Sequence, residues 1–286
     1  IGQPKLHCVV LKIEIPGRTI TAQTDTYTDI TVGAGENWDE LVAWSVEQNL
    51  HGIEALSLIP GTVGAAPVQN IGAYGQELHE TLISVEAYDS ESAAMVSLSN
   101  EDCQFGYRDS LFKHEGRGRY VITSVSLRLT PASGSQPANY PRLQVRLIAD
   151  GITHPTVADI RRTVIAIRQS RLPDPSLIPT AGSFFSNPRV TPEIAETLHA
   201  AHPEMPQWPM PDGTVKLAAA WLVEKCGFKG VVENGVGMYD KQAITLINPG
   251  RKGPSEIFAF RDRVVAEVEQ KFGITLTQEP ELVTFG

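Results

Sequence analysis

One uncharged stretch constrains this chain more than any other. Between Glu54 and Glu77 there is no charged residue, and 56–75 reads Leu56-Ser57-Leu58-Ile59-Pro60-Gly61-Thr62-Val63-Gly64-Ala65-Ala66-Pro67-Val68-Gln69-Asn70-Ile71-Gly72-Ala73-Tyr74-Gly75. Two prolines rule out one continuous helix or a central strand. Pro60, Pro67, Gln69 and Asn70 interrupt the apolar run too often for a membrane span. Glycines at 61, 64, 72 and 75 let backbone come close to whatever lies against it. Two readings follow. One is a tightly packed turn region, the other a cradle for a flat, partly apolar cofactor oriented by backbone N–H groups.

The 286 residues suffice for one large domain or two modest ones. With 24 basic and 33 acidic residues the net charge is −9, which lacks the basic footprint of a general nucleic-acid or anionic-membrane binder. Cys8, Cys103 and Cys226 are odd in number and far apart. They predict neither a disulfide framework nor a zinc site and suit a reducing cytoplasm. The histidines lack metal-site spacing, so no metal is expected.

Alternation predicts strands over 9–15, 29–32, 82–88, 95–98 and 120–129, the last with Val121, Thr123, Val125, Leu127 and Leu129 on one face. Asn37 with Glu40 three residues on predicts a helix start, with Trp38, Leu41, Val42 and Val46 inward, running to about Gln48 and stopped by His51-Gly52. A helix over 156–169 stops before Arg171-Leu172-Pro173-Asp174-Pro175, where a domain boundary is expected. Beyond it, helices are predicted from Thr191-Pro192 to about 201, over 216–226 closed by Gly227, and over 255–271 closed by Gly273. Strands are predicted over 243–248, 274–277 and 282–285.

Generic signatures are missing. No glycine fingerprint follows a strand, no phosphate-binding P-loop occurs, and no nucleophile elbow is present. What remains is a set of single residues. Arg108, flanked by aromatics, could pair with a substrate carboxylate or form a structural pair with Asp109. Ser183, between Gly182 and two phenylalanines, could give a proton in a dry pocket or simply bond the backbone of its turn. Glu279 and Glu281 flank Pro280, where apolar surroundings would raise a carboxyl pKa and solvent would not. Tyr140, Arg171 and Asn187 lie in irregular segments and offer donors suited to a diphosphate.

These segments together resemble the UDP-N-acetylenolpyruvoylglucosamine reductase (MurB) family. The resemblance is carried by the run 59–75, by Phe105-Gly106-Tyr107-Arg108-Asp109-Ser110, by Leu172-Pro173-Asp174-Pro175, by Ala181-Gly182-Ser183-Phe184-Phe185-Ser186-Asn187-Pro188, by Val215-Lys216-Leu217-Ala218-Ala219-Ala220-Trp221-Leu222 and by Gln278-Glu279-Pro280-Glu281, all in one order. The loop with Tyr140 resembles that of the longer, type I branch. The resemblance implies an α+β chain: an FAD-binding domain of the vanillyl-alcohol-oxidase/MurB type over 1–170, a smaller substrate-binding domain over 171–272, and a return to the first domain over 273–286. It implies FAD as cofactor and NADPH as the reductant that reduces it and leaves. The substrate implied is UDP-N-acetylglucosamine enolpyruvate, converted to UDP-N-acetylmuramate for peptidoglycan synthesis by a cytoplasmic protein expected to be a monomer.

The roles carry over by position. Ser183 matches the proton donor, Arg108 the residue that polarises the carboxylate, and Glu279 the acid that works with it. Gly61, Gly64, Ala65, Ala66, Gln69, Asn70, Ile71 and Gly72 match the flavin cradle. Tyr74, Tyr140, Arg171, Asn187 and Gln242 match positions that hold the UDP-sugar. Ala65-Ala66 stands where some members carry serines. No glycine-rich pyrophosphate loop is found before Gly33, so the first lobe of the FAD domain is expected to be missing. A non-catalytic fragment that binds a UDP-sugar without FAD is the alternative.

Overall fold

Antiparallel strand pairing organises the first part of the chain. A computed structural model describes residues 10–136 and 138–282. These divide into two units, Val10–Arg168 and a second from Gln169 onward, and helix Val157–Arg171 carries the chain from one to the other.

In the first unit the strand order is Arg18–Gln23, Thr28–Gly33, Tyr120–Pro131, Leu82–Asp89, Ala94–Ser99, all antiparallel. Ile30 pairs with Leu127 and Val32 with Val125, and these side chains form the core beneath Trp38, Leu41 and Val42. Asn37 accepts the Glu40 amide at 3.1 Å, which satisfies one orphan N–H of helix Trp38–Glu47. That helix ends within a residue of the expected Gln48. Asn49 takes a left-handed φ of 55°, and Leu50–His51 then pairs with Thr130 and Pro131.

Two strand expectations fail for physical reasons. Residues 10–17 form no strand, and Leu11 and Ile15 are exposed. The carbonyls of Ile15 and Gly17 accept from Gly35 and Gly33, Gly17 N–H donates to Glu36 Oε1 at 2.7 Å, and Ile13 packs against the core. In Tyr120–Pro131 the expected face holds only from Val125 onward. A bulge, where Glu86 pairs with Ser124 but Ala87 with Ile122, slips the alternation and buries Ile122 instead of Val121 and Thr123. Helix Pro141–Ala149 was not foreseen, although Pro141 at its start and Leu143 with Leu147 inward are its signal. It packs with Ile160, Val164 and Ile167 in a separate apolar cluster.

The second unit holds a four-stranded antiparallel sheet in the order Val232–Glu233, Val236–Tyr239, Gln242–Ile247, Thr180–Ser183. Leu217, Leu222, Val223, Met238, Leu246, Val264 and Val268 fill its core. Helices Pro192–Ala201 and Pro254–Phe272 lie close to the expected spans, and Gly273 closes the latter with φ 66°. The span 216–226 is not one helix. Val215–Leu217 is the central strand between Arg189–Val190 and Gln207–Pro209, and only Ala219–Lys225 is helical.

The described part of 273–286 lies in this second unit. Ser186 N–H donates to the Thr277 carbonyl at 3.0 Å and Glu279 N–H to the Phe184 carbonyl at 2.8 Å. No strand forms over 274–277, and 283–285 lie outside the described residues.

Candidate active site

The stretch 56–75 is a loop system lying between a buried floor and a bare outer face. Val63, Ala66, Asn70 and Ile71 are buried, while Gly61 and Ala65 are exposed and Gly64 half-exposed. Most of its amides are spent inside. The N–H groups of Val63, Gly64, Ala65, Ala66, Val68, Asn70 and Ile71 all donate to backbone carbonyls of this unit. These seven amides are therefore spent within the unit, and the outer side of the loop is largely bare backbone. Gly61, at φ 115°, has nothing within 4 Å of where a Cβ would stand. A Cβ on Gly64 would sit 2.5 Å from that of Ala34.

The expected cofactor residues thus separate by side. Gly61, Gly64 and Ala65 present the bare face, and Gln69 and Gly72 are half-buried. The side chain of Asn70 faces inward and is fully occupied. Its amide nitrogen donates to Glu77 at 2.9 Å and to the Gly106 carbonyl at 3.0 Å, and its oxygen accepts from His79 N–H at 3.0 Å. Asn70 ties three segments together.

Arg108 sits in the turn 106–109, closed by reciprocal backbone bonds between Gly106 and Asp109. Its φ is 56°, and its guanidinium donates to the Gly72 carbonyl at 2.6 Å, where the absence of a side chain on Gly72 makes room. Asp109 takes His114 Nε2 at 2.8 Å. Ser110 Oγ donates to the Val68 carbonyl at 2.6 Å, so the Arg108 turn and the bare-faced loop are fastened to each other.

Tyr74 and Tyr140 meet edge to face, with ring centroids 5.5 Å apart. Tyr74, at φ 50°, and Gly75 form the tip of the hairpin that pairs Gly72–Ala73 with Gln76–Glu77. Gln76 ties this tip to a buried carboxylate that sequence reasoning passed over. Glu54 has no exposed side-chain surface and accepts from Gln76 Nε2 at 3.0 Å and from Gly52 N–H at 2.8 Å, and one of its oxygens lies 2.7 Å from His51 Nδ1. Its one signal was position, as the charge that bounds the uncharged stretch.

This pair titrates in a way that can be checked. The Glu54 carboxylate against the imidazole ring, helped by the charge of Glu80, raises the His51 pKa against an opposing effect of burial. Burial alone would raise Glu54, but His51 and the Gly52 amide more than offset it and lower its pKa. A raised histidine stabilises fully below its ordinary pKa of about 6.5, and that stability is lost as pH rises through the folded-state value. A lowered glutamate stabilises fully above about 4.3, and that stability is lost on acidification through its folded-state value. Thermal unfolding should therefore be most favourable to the fold between these limits. Stability should fall above about pH 6.5 in the wild type and much less in His51→Gln. Parallel pH profiles for the two would contradict the pairing.

In the second unit the backbone brings together two residues 96 positions apart. Ser183 ends its strand opposite Thr245, and Phe184 N–H donates to the Ile244 carbonyl at 2.7 Å. On the other side of the same chain, Phe185 bridges to Gln278, and Glu279 N–H donates to the Phe184 carbonyl. Arg171 donates to Gln242 Oε1 at 2.9 Å, so two further expected residues are neighbours. Asn187 Oδ1 accepts from Ala219 N–H at 3.0 Å and caps helix Ala219–Lys225.

Cys103 is buried, and burial together with Asp102 pushes its thiol up to about 12. Among the described residues no cluster of three His, Cys, Asp or Glu could hold a metal, and no helix is long and apolar enough to cross a membrane.

Comparison with known proteins shows the family. A family model described as FAD binding domain matches residues 2–99, and one described as UDP-N-acetylenolpyruvoylglucosamine reductase, C-terminal domain, matches 174–283. UDP-N-acetylenolpyruvoylglucosamine reductase of Cupriavidus pinatubonensis is 46% identical over 276 residues, which are 96% of this chain and 81% of that protein. That of Pseudomonas aeruginosa is 42% identical over 277 residues, 97% of this chain and 81% of its own. A crystal structure of the Thermus caldophilus enzyme of this name matches with a TM-score of 0.59 at 22% identity, covering 88% of this chain and 71% of that one, and supports the fold. An FAD-binding domain joined to this C-terminal domain defines a class, the FAD-dependent oxidoreductases that act on a carbon–carbon double bond. Within that class the chain belongs to the UDP-N-acetylenolpyruvoylglucosamine reductase family. The bare outer face around Gly61, Gly64 and Ala65 fits the flat ring system that such a domain holds.

Proposed function

We propose that this chain reduces UDP-N-acetylglucosamine enolpyruvate to UDP-N-acetylmuramate, with NADPH as the source of electrons. Family membership across 96% of the chain carries this reading. FAD, held against Gly61, Gly64 and Ala65 with Gln69 and Gly72 beside them, supplies hydride transfer to C3 of the enolpyruvyl group when bound.

The chain's own residues do the rest. As C3 is reduced, negative charge develops at C2 and on the adjoining carboxylate. Arg108 stabilises that charge, and stabilises it more in the transition state than before it. Its guanidinium is aimed by the bond to the Gly72 carbonyl, so little reorganisation is needed during reaction. Ser183 delivers the proton to C2, and Glu279 joins Arg108 in stabilising the charge on the carboxylate. The backbone bond from Glu279 to Phe184 supports a shared role for Ser183 and Glu279, because it seats these two segments together without relying on either side chain. Arg171, Gln242, Asn187, Tyr140 and Tyr74 hold the nucleotide sugar, with Arg171 supplying a fixed fork of donors for phosphate oxygens.

Purified protein is expected to carry flavin absorbance and to oxidise NADPH in proportion to added UDP-N-acetylglucosamine enolpyruvate. Protein that holds added FAD but consumes no NADPH with this substrate would overturn the assignment.

A further inference from the structure

The loop 56–63 is gripped from two sides by residues to which no role has been given. From one side, the start of helix Trp38–Glu47 reaches it four times. Trp38 Nε1 donates to the Leu56 carbonyl at 3.1 Å, Trp38 N–H to Gly61 O at 3.1 Å, Val63 N–H to Glu36 O at 2.9 Å, and Leu58 N–H to Asp39 Oδ1 at 2.6 Å. From the other side, helix Val157–Arg171 reaches it with two arginines. Arg161 donates to both oxygens of Asp39, at 2.7 and 3.1 Å, and to Ser57 Oγ at 2.9 Å, while Arg168 donates to the Leu58 carbonyl at 3.1 Å. Both polar groups of the Leu58 backbone are thus held by side chains.

The reason for so much holding is the conformation of Leu58. Its φ is 58°, in the left-handed region that a leucine avoids. Such backbone persists only where the surroundings over-determine it, and it gathers at ligand clamps. Leu58 stands three residues before Gly61, and its turn sets where Pro60 and Gly61 point. Asn70, Tyr74 and Arg108 are also left-handed, and Asn70 and Arg108 are tied in place by their own side chains. At Leu58 the restraint falls on the backbone itself, from side chains 19 and 110 positions away.

We infer that Asp39, locked by Arg161, is a positioning residue for the cofactor: it holds Leu58 left-handed so that the Gly61 face is preformed before flavin arrives. This rests on reading 56–75 as the flavin cradle. Asp39 touches no ligand in this account and acts through Leu58.

The test is a cycle of Asp39→Asn and Leu58→Gly in the full chain, read by FAD titration, melting temperature and exchange of the Leu58 amide. Asp39→Asn should weaken FAD binding about tenfold and speed exchange at Leu58, with the melting temperature within a few degrees of wild type. Glycine accepts φ 58° freely. In the Leu58→Gly background the same substitution should therefore cost less than about threefold. An equal penalty in both backgrounds, or unchanged FAD binding in Asp39→Asn, overturns the inference. If Asp39→Asn does not fold, Arg161→Lys, which keeps the charge and removes the fork, is expected to show the same loss and the same rescue. Failure of the wild type to bind FAD would instead overturn the cradle reading itself, and this inference with it.

Discussion

Replacing Ser183 with alanine is expected to lower the rate at which enolpyruvyl substrate reoxidises the reduced flavin by about 10²–10⁴-fold, the range for a lost general acid. Reduction of the flavin by NADPH should stay within about threefold of wild type, since a proton donor to substrate carbon contributes nothing to that step. The substitution is a clean one because the backbone at 183 is fixed by other residues. Its strand partner is Thr245, and the bonds from Phe184 to Ile244 and from Glu279 to Phe184 do not involve the hydroxyl. Rapid-mixing measurement of each half-reaction separates the outcomes. Equal loss in both would mean that Ser183 supports the structure and gives no proton.

Gly64→Ala is the second large effect. The added methyl would stand 2.5 Å from the Cβ of Ala34 and 3.1 Å from its carbonyl oxygen. Neither atom belongs to a flexible side chain. The Gly64 N–H bond to that same carbonyl, at 2.9 Å, holds the two segments together and leaves no room to part. Overpacking of this kind costs about 1–3 kcal/mol, or a fall in melting temperature of roughly 2–4 °C for each kcal/mol in a chain of this size. The strain falls on the turn that carries the bare face, so bound flavin should be lost together with stability. Calorimetry and the flavin-to-protein ratio check both. A Gly64→Ala protein that keeps wild-type stability and flavin content would contradict the packing described here.

The sequence carried some of this architecture and concealed the rest, for identifiable reasons. Helices with a clear start and stop were legible: Asn37 caps its helix, Pro192 opens another, and Gly273 closes the last. Strand faces were legible only while pairing stayed regular, and the bulge opposite Glu86 and Ala87 turned Ile122 inward against the local alternation. Lys216 and Leu217 read as the start of a helix because Ala219–Lys225 follows at once, yet two neighbouring strands claim them first. In the site, Arg108 and Ser183 stood out through unusual neighbours. The fastening of one segment to another could not stand out, because Asp39 to Leu58, Glu54 to Gln76 and Glu279 to Phe184 depend on contacts far apart in the chain. Asn70 shows the converse. Its motif marked it as a cofactor residue, and its buried amide is spent on Glu77, Gly106 and His79.

The most direct measurement is a single turnover without oxygen. Protein loaded with FAD and reduced by one equivalent of NADPH is mixed with UDP-N-acetylglucosamine enolpyruvate, and flavin absorbance is followed alongside product. The account predicts return of the oxidised flavin spectrum with stoichiometric UDP-N-acetylmuramate. Flavin that stays reduced in the presence of substrate, or that reoxidises without forming this product, would contradict it.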